Sequence, residues 1–531
     1  MSHQSVDARQ KPGKLTRRKV LGLAAAGALV ACSPSGGIGL NLPSFPKKGG
    51  KLTVAMEQDP VNLAPFGSLP RLNYTAKELI YDSPLVWDKD LKVQPALAQS
   101  YEPQGTNAYI FKLRQGVKFH NGAEMTADDV KYSIESQKAP PPPGTPFTYP
   151  KINNVDVIDK YTVRLNLTGI DPSLVGYFAW ARYSPVTPKD IYTKINVLKE
   201  GIGTGPFKLV EFVPNDKVEY VRNPDFWGSA PNLDAVTYKV MTDEQARVAA
   251  LRAGAVDVAT LSADSALTLT SDPNLQIYKG LFASHREIQL TIKTGERKPW
   301  HDVRVRQAVS AAIDRKAMVD KVYAGDAAWS SVMAPGYGEY VLPDSELKNL
   351  LKLDVDKARK LMADAGFADG FRVTMPAIAS PRDFVQLGEI VRENLKAIKV
   401  DLTLVPQEIG PFAAANAAGE FDWHLTGRGM RGDPDGFVGE FNPKAAIFAK
   451  WFTAWQIPAE LPKLLNDGVN TFDQGQRKDI YQRAQRILLS ELVHIPLVQP
   501  IKYQVTRKRV KGWYVSYTDL NPALREAWID E

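Results

Sequence analysis

Catalysis requires nucleophiles, bases or metal ligands at set spacings, and the residues able to play those parts are few in this chain. The six histidines are His3, His120, His285, His301, His424 and His494. No two of them stand at metal-ligand spacing, and no His-Glu-x-x-His occurs. Neither a protein-built metal site nor a cofactor is expected. There is no Gly-x-Ser-x-Gly elbow, and Cys32 is the single cysteine of 531 residues. Gly427-Arg428-Gly429-Met430-Arg431-Gly432 satisfies G-x-G-x-x-G. A dinucleotide site needs a helix to open there, whereas Asp433-Pro434-Asp435-Gly436 reads as a turn. The Arg431-Gly432-Asp433 triplet is a coincidence of the same loop. The inventory argues against an enzyme.

Cys32 has a different chemistry in view. Polar residues lead into Thr16-Arg17-Arg18-Lys19, followed by an apolar run over residues 20–31 that ends at Cys32. A membrane-crossing helix needs about 20 apolar residues, so this shorter run reads as a cleaved export leader. The Arg17-Arg18 pair is similar to the twin-arginine signal of proteins exported folded, with Val20 where that pattern prefers Phe. Twin-arginine export is the expectation, and the general secretory route stays open at this point. Leu29-Val30-Ala31-Cys32 resembles the bacterial lipobox, in which the Cys thiol takes a diacylglycerol and becomes the first mature residue. The leader carries Arg9, Lys11, Lys14, Arg17, Arg18 and Lys19 against Asp7, which is +5 of the formal +7. With the leader gone the basic surplus nearly vanishes, and so does the case for nucleic-acid binding.

At 44% hydrophobic and 24% charged, the remaining chain exceeds a single core and predicts two or three domains. A Gly/Pro/Ser-rich tether spans residues 32–50, and the fold is expected to begin near Lys51. Tyr109, Phe111 and Leu113 alternate with Ile110, Lys112 and Arg114, and Val163, Leu165 and Leu167 and then Val218 and Tyr220 repeat the strand pattern. Further on, Val305, Ala308, Val309, Ala312 and Ile313 share one face of a helix opened by Asp302 and closed near Gly325. Ala358, Leu361, Met362 and Ala365 form a helix stopping at Gly366, and Ile480, Ala484, Ile487 and Leu488 form another that ends before Pro496. Mixed α/β architecture follows. Pro140 to Pro143 read as a rigid surface connector.

Several of these stretches together resemble the signature of the family 5 extracellular solute-binding proteins, the peptide, nickel and opine receptors of ABC importers. They are Pro95-Ala96-Leu97-Ala98, the run from Tyr109 to Gly122, Met125-Thr126-Ala127-Asp128-Asp129-Val130, Gly203-Thr204-Gly205-Pro206-Phe207, and Arg222-Asn223-Pro224-Asp225-Phe226-Trp227. Val303-Arg304-Val305-Arg306-Gln307-Ala308, Ala312-Ile313-Asp314-Arg315 and Ile495-Pro496-Leu497 complete the series in order. The resemblance implies a type II periplasmic-binding fold of two lobes joined by a two-strand hinge, with lobe I split into two subdomains. Mapped onto this chain, the lobe I core takes residues 51–84, 201–281 and 497–531, its second subdomain 85–200, and lobe II 282–496. It further implies a monomeric, extracytoplasmic receptor that hands a small solute to permease subunits and touches the membrane only through its lipid. Rival readings are a receptor for an oligosaccharide or a metal chelate, and, in another class, an envelope enzyme or a chaperone on the same fold.

In peptide receptors of this family the loop at Gly427 to Gly432 reads Gly-Trp-x-x-Asp, and its carboxylate holds the peptide ammonium. Here, aligned from Phe421-Asp422, Arg428 and Arg431 replace the Trp and the Asp; aligned back from Asp433-Pro434, Met430 holds the acidic position. Guanidinium groups pair with carboxylate or phosphate, so an anionic solute becomes the sharper expectation, against arginines that merely face solvent or bridge the lobes. Topology adds Glu57 and Asn62 in the loop after the first strand, and His285 and Arg286 at the first crossing between lobes. It also adds one of Trp423 and His424, since alternation sends only one of them toward the cleft. Gly427 and Gly429 would present backbone to the solute.

The leader and lipobox agree in position, so Cys32→Ala should leave the protein misprocessed or released from the membrane while solute affinity is unchanged. Mass spectrometry of membrane and soluble fractions reads this directly. A soluble wild-type form starting at another residue would refute the assignment.

Overall fold

The structure is a computed structural model and describes residues 45–66, 71–139, 149, 151–282, 284–295, 297–429, 431–518 and 522–530. The leader, Cys32 and the tether up to residue 44, the run from Pro140 to Pro143, and Met430 lie outside the described residues. The fold below is that of the unit Pro46–Glu531.

Three sheets organise it. The largest runs in the order Leu275–Leu281, Val498–Arg507, Val258–Leu261, Lys51–Met56, Ala235–Val240, Lys217–Arg222, Phe207–Val213, with Ala327–Trp329 paired to Val498–Arg507. Its middle pairings, Lys51–Met56 with Ala235–Val240 and with Val258–Leu261, are parallel, and the outer ones are antiparallel. A second sheet of five strands has the order Val400–Gln407, Phe371–Ile378, Trp423–Gly429, Ser284–Leu290, His494–Pro496. The third is a four-stranded antiparallel sheet of Ala98–Gln104, Ala108–Leu113, Thr162–Leu167 and Ile152–Asp159.

The alternation read from the sequence places side chains as expected. Tyr109, Phe111, Leu113, Val163, Leu165, Val218 and Tyr220 are all buried, while Lys112 on the opposite face is exposed. Helices Val355–Asp364 and Gln474–Glu491 match their predicted faces, and Gly366 follows the first of them at φ +85°. One predicted helix splits in two. Val303–Ala312 is opened by the Asp302 carboxylate, which accepts from Arg304 N, but it ends at Ile313 in extended backbone. Asp314 then caps a second helix, Arg315–Val322, by accepting from Ala317 N. A short carboxylate satisfies the orphan N–H groups of a helix start, so an Asp inside an apolar period becomes a new beginning rather than a passenger.

The chain passes from the largest sheet to the second between Leu281 and Ser284, and returns between Pro496 and Val498. These two connections run side by side. Phe282 N donates to Pro500 O at 3.0 Å, and Leu497 N donates to Arg286 O at 2.9 Å. Arg315 anchors the return. Its guanidinium is fully buried and donates to Pro496 O (2.9 Å), Ser310 O (3.1 Å), Leu351 O (3.0 Å) and Ser310 Oγ (3.0 Å). Burial without a carboxylate partner pulls it down to about 9.

Replacing Arg315 by Met keeps much of the volume but takes the guanidinium donors away from the buried Pro496 and Leu351 carbonyls, while Ser310 O keeps the Ile313 N–H. Each orphan acceptor costs on the order of 1 kcal/mol or more, so Arg315→Met should lower the urea unfolding free energy by roughly 2 to 5 kcal/mol. An unchanged midpoint would show that the guanidinium is replaceable by water.

Candidate functional site

The strand Ser284–Leu290 carries the residues expected at the first crossing, and its register explains where they go. His285 lies opposite Arg428, Glu287 opposite Thr426, and Gln289 opposite His424; on the other flank Gln289 faces His494. Directly paired residues share a face, so His285, Glu287, Gln289, Thr426, Arg428 and His494 gather on one side. Glu287 is completely buried at the centre of this group. It receives His285 Nε2 at 2.9 Å and Gln289 Nε2 at 2.9 Å, with Arg428 Nε at 2.9 Å and His494 Nδ1 at 3.3 Å. Burial alone would raise its pKa; Arg428, His494 and His285 outweigh burial and hold it well below the usual carboxylate range.

Arg428 is committed to that network. Besides Glu287 it pairs with Glu440 and donates to Val332 O at 2.8 Å. This corrects the expectation that Arg428 anchors an anionic solute, because two carboxylates of the protein already neutralise its charge. Arg431 is exposed, and its backbone N and O both bond the Tyr337 hydroxyl, at 2.7 and 2.9 Å. The following Asp433-Pro434-Asp435-Gly436 is not only a turn, since a single helical turn Asp435–Val438 opens within it.

Arg286 points to the opposite face. Its guanidinium pairs with Asp383 at 2.8 Å, lies 4.1 Å from the Phe384 ring centre, and bonds Ser284 Oγ at 3.2 Å. Gly427 is opposite Arg286, and a Cβ there would meet Arg286 NH1 and Ser284 Oγ at 2.9 Å. Gly429 ends the pairing opposite Ser284. Both Trp423 and His424 are core residues, contrary to the expectation that one faces a cleft. Trp423 packs 5.8 Å from Trp300 and 6.2 Å from Phe371, and His424 is stacked between Phe412 (4.2 Å) and Phe421 (3.9 Å). Their strand is covered on both faces, so alternation chooses between two cores. Burial lowers His424 to about 4.

The loop after Lys51–Met56 holds Glu57 and Asn62, both half-buried, and Asn62 Oδ1 accepts from Ala64 N at 3.1 Å. It leads to the carbonyls of Ala64 and Pro65, which accept from Lys77 Nζ at 2.6 and 3.2 Å. Lys77 ends the helix Arg71–Lys77 and is buried. With Tyr74, Glu78, Tyr81, Ala181 and Arg182 it lines a small cavity.

A second cluster forms where the four-stranded-sheet region meets the loop after Trp423–Gly429. The helix Leu174–Phe178 lies against Gly432 so closely that a Cβ on Gly176 would stand 1.7 Å from Gly432 O. Nearby, Arg477 forks onto Asp433 at 2.7 and 2.6 Å, and Lys151 Nζ bonds Asn470 Oδ1 at 2.9 Å. Asp171, held by Ser173 Oγ at 2.5 Å, faces the same group. Enclosure of its carboxyl, with Asp433 and Asp171 adding and Arg477 opposing, pushes Asp435 up to about 7.

A sequence profile of the bacterial extracellular solute-binding proteins, family 5, matches residues 92–448, about two thirds of the chain. The chain belongs to that family. Di/tripeptide-binding protein 1 of Pseudomonas aeruginosa is 29% identical over 469 residues, spanning 81% of this chain and 85% of its own. Two solved structures share the fold. The periplasmic binding protein DppA from Helicobacter pylori, in complex with the peptide STSA, superposes with a TM-score of 0.78 at 23% identity, covering 91% of this chain and 99% of its own. AgaA from A. tumefaciens, in complex with agropinic acid, gives a TM-score of 0.77 at 23% identity with the same coverage. The fold of this solute-binding protein is thus the type II periplasmic-binding fold, and its relatives are binding proteins rather than enzymes.

Sequence reasoning passed over Lys77, Arg182, Asp171 and Asp435 in this binding protein. One signal was available. Arg182 follows Trp180 and precedes Tyr183, and a cation flanked by aromatics is a common recognition element. Burial of Lys77 has no mark in the local sequence.

The Asp435 carboxyl gives a pH test. A carboxyl raised in the folded state from 3.8 to about 7 binds its proton more tightly there than when unfolded. Stability from this group is therefore full at acid pH and is lost as pH rises from about 4 toward 7, by up to about 1.4 kcal/mol per pH unit. Asp435→Asn should flatten that slope and stabilise the protein above neutrality. A stability profile identical to wild type would place the carboxyl in water.

Proposed function

We infer that this chain is the extracytoplasmic receptor of an ABC importer. It captures a peptide-like, opine-like or other small anionic solute between two lobes, closes over it, and delivers it to the permease. The observation that carries the reading is the pair of adjacent connections at Leu281–Ser284 and Pro496–Val498, which join the two large sheets through two short strands of chain. Two crossings side by side make a hinge. In this reading lobe I comprises residues 51–84, 201–281 and 497–531, with 85–200 as its second subdomain, and lobe II comprises 282–496. The tight contact of Gly176 with Gly432 then belongs to the closed state. The peptide and agropinic acid named with the relatives each carry a carboxylate, which supports a solute with at least one anionic group. The Arg17-Arg18 leader and Cys32 support export followed by lipid anchoring at the periplasmic face or cell surface, with the body acting as a monomer.

Closure is measurable. Small-angle scattering should show a smaller radius of gyration when the retained or supplied solute is bound, and native mass spectrometry of the purified protein should reveal that solute. Gly176→Val inserts side-chain atoms where a Cβ alone would clash with Gly432 O, so it should block full closure and weaken solute affinity at least about tenfold. A variant that still contracts and binds normally would move the closing contact elsewhere. A protein that contracts with no compound, and retains none, would remove the receptor reading.

A further inference from the structure

The contact of helix Leu174–Phe178 with Gly432 is also where carboxyl groups outnumber the cations beside them. Residues 85–200 supply Asp171 and Lys151, and residues 282–496 supply Asp433, Asp435 and Arg477. The contact is tight around them, with Gly176 against Gly432 and the Tyr109 ring edge-on to Phe472 at 6.4 Å between centres. Both cations are already committed. Arg477 forks onto Asp433 at 2.7 and 2.6 Å. Lys151 places its three N–H donors on Ile170 O, on Val469 O at 3.2 Å and on Asn470 Oδ1 at 2.9 Å, so it spans the contact without bonding a carboxylate. Among the described residues, neither Asp171 nor Asp435 therefore has an ion pair. Asp171 is 3% exposed, its Oδ1 accepts from Ser173 Oγ at 2.5 Å, and its Oδ2 has no hydrogen-bond partner among the described residues. A buried carboxylate oxygen left without a donor is costly, and a proton removes the charge that causes the cost.

We propose that closing of the receptor is coupled to uptake of a proton by the Asp171 and Asp435 carboxyls, so that the closed state, and with it solute capture, is favoured in acid. The proposal rests on the receptor reading, in which residues 85–200 and 282–496 belong to opposite lobes and part when the hinge opens. Opening then withdraws Asp171, Lys151 and Tyr177 from Asp435 and returns water to both carboxyls. Asp433 stays beside Asp435 in either state, with its charge held by Arg477, so it does not supply the difference. In the closed contact, enclosure and then Asp433 raise Asp435 to about 7 against Arg477, and enclosure raises Asp171 against Ser173 and Lys151. A carboxyl that binds its proton more tightly closed than open takes one up on closing. The bias toward closure is thus full at acid pH and is lost as pH rises from 3.8 toward about 7. The charged and titratable groups facing Asp435 are Asp433 from its own loop, Arg477 and Tyr481 from helix Gln474–Glu491, and Lys151, Asp171 and Tyr177 from across the contact. Tyr109 adds its hydroxyl beside Asp171, donating to the Asp171 carbonyl at 3.4 Å.

The test uses the chain with Cys32→Ala, Lys112→Cys and Lys463→Cys, so that two exposed positions, one in each lobe, carry its only thiols and take nitroxide labels. Electron–electron double resonance on the solute-free protein then reads the ratio of closed to open molecules. From about pH 8 to about pH 5.5 that ratio should rise roughly tenfold, the effect of about one proton bound with closure. Asp435→Asn puts a neutral carboxamide in place of the carboxyl and should hold the ratio near its acid value at both ends. Asp171→Asn should lose part of the response, whereas Asp364→Asn, exposed and outside the contact, should respond as wild type does. A wild-type ratio that is the same at both ends, while Gly176→Val shifts it toward open, overturns the proton coupling and leaves the receptor reading standing. A full response that survives in the Asp171→Asn, Asp435→Asn double variant also overturns the coupling. A single distance that neither pH nor Gly176→Val moves overturns both the coupling and the receptor reading.

Discussion

A carboxylate with no exposed surface stays ionised only if cations or donors replace the water it has lost, and Glu287 imposes that requirement on the second sheet. The groups that meet it come from separate parts of the chain. Arg428 brings the Trp423–Gly429 strand, His494 brings the strand that leads back to the largest sheet, and Glu440 shares Arg428 from the turn beyond. Burial lowers His285 and His494 despite Glu287, and the Arg428 guanidinium is the largest of the charges that offset the burial of Glu287. The opposite face repeats the arrangement with other residues, where Arg286 and Tyr323 Oη both bond Asp383. The strand entered directly after the first crossing is thus clamped by charge on both faces. In the receptor reading, motion at the crossing would then occur at the two connecting segments and not within the sheet.

The same clamp explains how much could be read from the sequence. Strand alternation around Tyr109 and Val163 and the faces of the Val355–Asp364 and Gln474–Glu491 helices were legible because burial there is decided by neighbours a few residues away. The break at Ile313 was missed because an apolar period outranked Asp314, although the capping preference of that residue was equally local. Arg428 looked like a ligand anchor for a different reason. Its partners Glu287 and Glu440 come from other elements, and only the register of His285 opposite Arg428 brings the first of them to it. Trp423 and His424 show the limit of alternation, which assigns faces correctly but cannot say whether the second face is solvent, ligand or another layer of helices.

Lys77 and Arg182 are the converse case. Nothing near Lys77 marks it as buried, and Arg182 is distant in sequence. Lys77 is buried because the Ala64 and Pro65 carbonyls of the preceding loop accept from its ammonium at the end of a seven-residue helix. A lysine held by carbonyls and facing an arginine is a poor device for stability, since a hydrophobic residue of the same size would avoid the desolvation.

The close contact of Gly176 with Gly432 adds an energetic argument. Around it the protein places Asp171, Asp433 and Asp435 against Arg477 and Lys151, so part of the attraction across the contact is offset by repulsion among carboxylates. A contact built entirely of matched apolar surface would hold the lobes of a receptor shut without solute. One that is nearly balanced lets a modest free energy decide between open and closed, because a ligand shifts a two-state equilibrium only by its preference for one state. In the receptor reading, the charges at the rim set that balance and the bound solute supplies the preference.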